Sequence, residues 1–170
     1  CGTLFPYTTL FRSRWPGTVE AGSQSDIPVS NLDFYPTFQE IFGADGKQSL
    51  DGQSLMPILT QEGKFAERPL FWHFPIYLQA YDTIKDDGRD PLFRTRPGSV
   101  VRQGNWKLHE YFEDGGLELY NLEEDIGERN NLAEALPEKA EEMHQLLTDW
   151  RQRLDAPVPT EPNPAYVGAE

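Results

Sequence analysis

Residues 101–122 read VRQGNWKLHEYFEDGGLELYNL. Trp106, Leu108, Glu110 and Phe112 alternate with Lys107, His109 and Tyr111, a period of two that predicts a strand from Trp106 to Phe112. Glu113-Asp114-Gly115-Gly116 supplies a hairpin signal, and Leu117 to Leu122 returns as a partner strand. On the other side, Gln103-Gly104-Asn105 turns back into a short strand from Ser99 to Arg102. Pro69 to Phe74 (PLFWHF) adds a fourth, with Leu70, Trp72 and Phe74 on one face and Phe71 and His73 on the other. The sum is an antiparallel meander, interrupted by a long loop, 75–98, rich in Asp, Pro and Arg.

Further along, Ala140, Met143, Leu147, Trp150 and Leu154 recur at 3, 4, 3 and 4, the stripe of an amphipathic helix over Pro137–Asp155. Pro137 and Glu138 suit its start, Arg151 and Arg153 its end. Pro157, Pro159, Pro162 and Pro164 then make residues 156–170 an extended tail. Upstream, Ser30 to Gly43 reads as a short buried helix, capped by Asp33 or a nearby Ser or Asn, with Pro36 in its first turn and Gly43 at its close. LDGQSLMPIL (50–59) is a turn at Asp51-Gly52 followed by an apolar cluster, and residues 61–68 read as polar and exposed. The fold class expected is α+β: a sheet of about four antiparallel strands packed by a C-terminal helix, preceded by the tail end of a truncated α/β domain.

A net charge of −13 argues against general binding to nucleic acid or to an anionic membrane surface. No apolar run approaches the ~20 residues of a spanning helix. With Cys1 the one cysteine, no internal disulfide can form.

Arg14-Trp15-Pro16-Gly17, Ser25-Asp26 to Ser30, Leu32-Asp33 to Pro36-Thr37, LDGQSL (50–55), VRQGNWKL (101–108), ELYNLEEDIGERNNLA (118–133) and Pro162-Asn163-Pro164-Ala165-Tyr166 together resemble the late part of a type I, formylglycine-dependent sulfatase of the alkaline-phosphatase-like superfamily. The resemblance covers 14–170 and implies that 14–60 ends the catalytic α/β domain and that 61–155 is the C-terminal subdomain. Residues 3–13 (TLFPYTTLFRS) are instead similar to a translated sequencing adapter, so residues 1–13 are expected to be non-native and to pack poorly.

The resemblance also implies a parent that hydrolyses sulfate esters of a carbohydrate or small molecule, in the periplasm or outside the cell. Formylglycine and calcium would be its cofactors, and its missing N-terminal catalytic domain the chief partner of this chain. The chain itself carries no Cys/Ser-x-Pro-x-Arg: Cys1 precedes Gly-Thr-Leu-Phe, and Ser25-Asp26-Ile27-Pro28 places its proline one position late. No cofactor or metal site, and no catalysis by this portion alone, is expected. The alternative is a stand-alone carbohydrate- or protein-binding module. Residues 14–42, if they end a larger sheet, should expose apolar surface that such a module would not leave open.

Three residues are candidates for substrate contact. His73, in the strand that the resemblance places near the active-site mouth, could bond a sugar hydroxyl or face sulfate; a sheet histidine satisfied by backbone is the alternative. From Pro91 to His109 the basic residues Arg94, Arg96, Arg102 and Lys107 occur without an acid. Solvated or strand-fixed side chains are the favoured reading of that strip, with Arg94 and Arg96, in the loop, the better candidates for a sulfated glycan. Glu123, Glu124, Asp125 and Glu128 lack the ligand spacing of a calcium loop and read as a solvated turn around Gly127.

Overall fold

Ser30 begins the first helical segment. Its hydroxyl accepts from Leu32 N–H, and Asp33 reaches back to accept from Ser30 N–H at 2.7 Å, a reciprocal cap over the 3-10 turn Asn31–Asp33. The turn runs on into α1 (Phe34–Ile41), which ends at Gly43 with φ +61°. The computed structural model describes residues 11–44, 46, 48–78 and 95–161. Two units are formed, one from Thr8 to Arg68 and one built on Pro69 to Glu170.

In the first unit the apolar cluster after Leu55 folds into a short helix, α2 (Met56–Thr60), with Pro57 in its first turn where a missing N–H is harmless. Thr37 joins the two helices. Its hydroxyl donates to Asp33 O and accepts from Leu55 N–H at 2.8 Å, and the residue is buried. Gly52 lies so close to the Leu32 carbonyl that a Cβ there would stand 2.1 Å from the oxygen, a contact that only glycine allows.

The expectation of a buried helix at 33–42 fails for most of its side chains. Asp33 and Thr37 are buried, but Phe34, Tyr35, Phe38 and Phe42 are exposed, Phe42 at 79%. The apolar residues form a helical stripe, as the spacing requires, in which Phe34 stacks on Phe38 with ring centroids 6.4 Å apart. Phe11 sits edge-on to Phe34 with ring centroids 5.1 Å apart; residues 1–10 of the suspect opening lie outside the described residues.

The second unit is the expected meander. β1 (Leu70–Phe74), β2 (Gly98–Gln103), β3 (Trp106–Tyr111) and β4 (Leu117–Asn121) are antiparallel and lie in chain order. Phe71, Val101, Leu108 and Leu119 pair in one row across all four strands. Onto this row packs α3 (Pro137–Leu154) through Ala140, Met143 and Leu147, and the six residues from Val101 to Leu147 form the core. Phe71 and Trp150 rings stack in parallel at 4.8 Å. The helical stripe departs from its sequence pattern at the end: Leu154 is exposed and Arg151 is buried in its place. Arg151 donates to Glu110 on β3 and lies 5.3 Å over the Phe112 ring, so the last turn meets the sheet through a charge pair. Among the described residues no helix is long and apolar enough to cross a membrane.

Candidate functional site

His73 lies one row from the core, paired with Ser99 across the β1–β2 ladder, and its ring faces Phe112 and Trp150. Both ring nitrogens are engaged. Nε2 stands 2.8 Å from the Pro157 carbonyl, which can only accept, so Nε2 carries the proton. Nδ1 is then free to accept from the Ser99 hydroxyl at 2.7 Å. The imidazole thus ties the segment after α3 to β1. A sugar hydroxyl could take Nε2 only by displacing Pro157.

Arg96 lies at the same end of the sheet, against Tyr111 on the face opposite His73. Its guanidinium carbon is 4.3 Å above the Tyr111 ring, and Nη1 is 3.4 Å from Glu113 and 3.9 Å from Asp114. Glu113 also accepts from the Tyr77 hydroxyl. Arg94 lies outside the described residues, as do 79–93 of the same loop. The remaining members of the basic strip turn away from a shared point: Arg102 Nε donates to Gly104 O at 3.2 Å, and Lys107 faces Glu128. The structure therefore places His73 and Arg96 on opposite faces of one end of the sheet, and it gathers none of Arg96, Arg102 and Lys107 around a shared anion.

The polar centre that sequence reasoning missed is on the sheet face opposite α3. Glu128, expected in a solvated turn, is 1% exposed. It holds a left-handed backbone, φ +52°, at the close of a turn in which its N–H donates to Asp125 O. That turn folds its side chain back under the strands, where Oε1 is 2.7 Å from Lys107 Nζ and Oε2 is 2.9 Å from His109 Nε2. Burial pushes the Glu128 carboxyl up to about 7. Next to it on the same face, Glu118 accepts from the hydroxyls of both Tyr111, at 3.1 Å, and Tyr120, at 2.9 Å. Burial and Glu118 together push the Tyr111 hydroxyl up, so it stays a donor at any physiological pH. The one sequence signal for this cluster was Lys107 and His109 at a spacing of two, which places both on one face of a strand.

In the first unit the second buried carboxylate, Asp33, is fully enclosed. It accepts from Ser30 N–H, from Gln53 N–H at 2.9 Å and from Arg68. Arg68 is thus largely withdrawn from solvent, against the expectation of an exposed 61–68 segment.

Neither carboxylate fits calcium. Asp33 and Glu128 each face a cation of the chain itself, and among the described residues no group of three or more His, Cys, Asp or Glu is placed to hold a metal. Nor does the sequence hold a Cys or Ser with the x-Pro-x-Arg context that formylglycine requires in the family that the chain resembles.

A family model described as N-sulphoglucosamine sulphohydrolase, C-terminal, matches residues 7–156. A sulfatase of Formosa agariphila is 32% identical over 162 residues, 85% of this chain and 27% of that protein. An N-acetylglucosamine-6-O-sulfatase of Bacteroides thetaiotaomicron is 28% identical, over 87% of this chain and 25% of that protein. Among solved structures, a protein in complex with its substrate D-glucosamine-2-N,6-O-disulfate superposes with a TM-score of 0.65 at 26% identity, over 87% of this chain and 29% of that one. The chain spans about a quarter of the length of the curated relatives it matches. With four antiparallel strands, one covering helix and a match over nearly its whole length, the chain belongs to the N-sulphoglucosamine sulphohydrolase C-terminal family, a sulfatase family.

Proposed function

We propose that the chain is the C-terminal portion of a sulfatase that, with its catalytic domain, hydrolyses a sulfate ester of a carbohydrate. Residues 14–60 would supply the end of the catalytic domain and 61–155 the C-terminal subdomain. Residues 1–13 would be foreign to the native protein, and 156–170 its tail. The observation that carries this reading is the exposed aromatic face of α1, Phe34, Tyr35, Phe38 and Phe42, which a free-standing module would cover. The relatives that act on glucosamine sulfates favour an amino sugar as the substrate class. Calcium, formylglycine and the missing catalytic domain then come from outside these residues, and export from the cytoplasm is inferred from bacterial relatives alone.

For substrate contact, Arg96 and Arg94 are the better candidates. Arg96 keeps a partly exposed guanidinium on an aromatic platform, whereas His73 is committed at both nitrogens. The test is a graft. Residues 14–170 replace the matched region of the Formosa agariphila sulfatase, and sulfate release from an aryl sulfate is measured beside the isolated chain. The graft is expected to turn over and the isolated chain to give no release above buffer. Turnover by the isolated chain would sink the proposal, as would a folded graft without activity.

A further inference from the structure

The outer edge of β4 is closed by a side chain where a neighbouring strand would lie. Asn131 Nδ2 donates to the Leu117 carbonyl at 3.1 Å, and Asn131 Oδ1 accepts from Leu119 N–H at 3.0 Å. The next backbone group continues the ladder, Leu132 N–H donating to the Leu119 carbonyl at 2.8 Å. At the end of the strand the Asn121 carbonyl accepts from Glu124 and Asp125 N–H at 3.2 and 2.8 Å. The amide is itself fixed, since its Oδ1 also accepts from Ala133 N–H at 2.9 Å. One primary amide carries a donor and an acceptor side by side, as a peptide unit does, so it can stand in for one residue of a strand.

We propose that Asn131 seals β4 against edge-to-edge pairing with β4 of a second copy of this chain. An open strand edge is a template for another chain, and the sequence of β4 fits its own antiparallel copy. Centred on Leu119, the pairing sets Leu119 against Leu119, Glu118 against Tyr120 and Leu117 against Asn121, with no like charges opposed. Glu118 already accepts the Tyr120 hydroxyl within one chain, so the cross-strand pair repeats a bond the surface knows how to make. The net charge of −13 opposes association over longer range, a barrier that salt removes.

The experiment compares the full chain with Asn131→Ala and with Asn130→Ala, whose backbone N–H donates to Asp125 while Asn131 seals the edge. Amide exchange at Leu119 and sedimentation velocity against concentration are read in about 0.5 M salt, where only close charges still interact. The wild-type profile is the baseline for any association through other surfaces. In Asn131→Ala, Leu119 exchange is expected to rise about tenfold, the loss of one net hydrogen bond, and a dimer absent from the other two proteins should grow with concentration. A folded Asn131→Ala with wild-type sedimentation overturns the proposal, whether or not Leu119 exchanges faster. Equal dimerisation of Asn130→Ala overturns it too. If Asn131→Ala does not fold, Asn131→Asp replaces it, keeping the acceptor for Leu119 and losing the donor to Leu117: dimer growth supports the seal, and wild-type sedimentation overturns it.

Discussion

Glu128→Ala at pH 8 is expected to cost the second unit about 3–5 kcal/mol, the penalty for leaving one member of a buried pair without the other. The group that loses its carboxylate is Lys107, 5% exposed on a central strand, and His109 Nε2 loses the same carboxylate. Urea unfolding followed by tryptophan fluorescence reports it, since Trp72, Trp106 and Trp150 all belong to this unit. Adding Lys107→Met to Glu128→Ala should recover a large share of the loss, because the desolvated charge is then gone. A single-variant cost below about 1 kcal/mol, the range of an exposed pair, would show that the cluster is wet.

The same carboxyl sets a pH dependence. Its folded value of about 7 lies above its ordinary 4.5, so the native state binds its proton more tightly than the unfolded chain does. The stabilisation linked to that proton is fully present below about pH 4.5 and is lost as pH rises through about 7. Glu128→Gln, which cannot titrate, should flatten the stability curve across that window.

Asp33→Ala carries the second large effect, expected at about 3–5 kcal/mol on the first unit. Asp33 is fully buried, and its removal strands Arg68 together with the N–H groups of Ser30 and Gln53. Arg68 already has one buried nitrogen, Nη1, without an acceptor among the described residues, which leaves it little capacity to absorb the loss. Amide exchange at Gln53 and Leu55 localises the damage, because both segments hang on Asp33 and on Thr37 beside it. Global exchange at the wild-type rate would mean that Asp33 does not hold the unit together.

The strands, their order and the long helix were legible because each rests on a local rule. Alternation at 106–112, glycines at 115 and 116 and the stripe of Ala140, Met143 and Leu147 all act within a few residues. The polar centres were not, because they join distant segments. Arg68 meets Asp33 across 35 residues of sequence, and Glu128 is buried only once a left-handed turn returns it beneath β3. In the sequence, Glu128 follows three acids and looks like them; its different fate is set by the Asp125 carboxylate, which accepts from Arg129 and Asn130 N–H and shapes the turn. Of the candidate contacts, His73 has a backbone partner, the Pro157 carbonyl, as a sheet histidine satisfied by backbone would. At α1 the apolar stripe alone implies burial, whereas the end of a larger sheet expected at 14–42 implies open apolar surface, and Phe34, Tyr35, Phe38 and Phe42 are exposed.

The order of the sheet has a consequence during synthesis. β2, β3 and β4 are joined by short turns whose closure costs little entropy, whereas β1 and α3 reach them across longer connections. The hairpins can therefore form on the ribosome before the helix exists. Until residues 137–154 have emerged, the row of Val101, Leu108 and Leu119 faces water, a nascent sheet with an uncovered apolar side. At ordinary elongation rates that interval lasts on the order of seconds, and it is then, more than in the finished protein, that the chain is open to capture by a chaperone or by its neighbours on the same messenger.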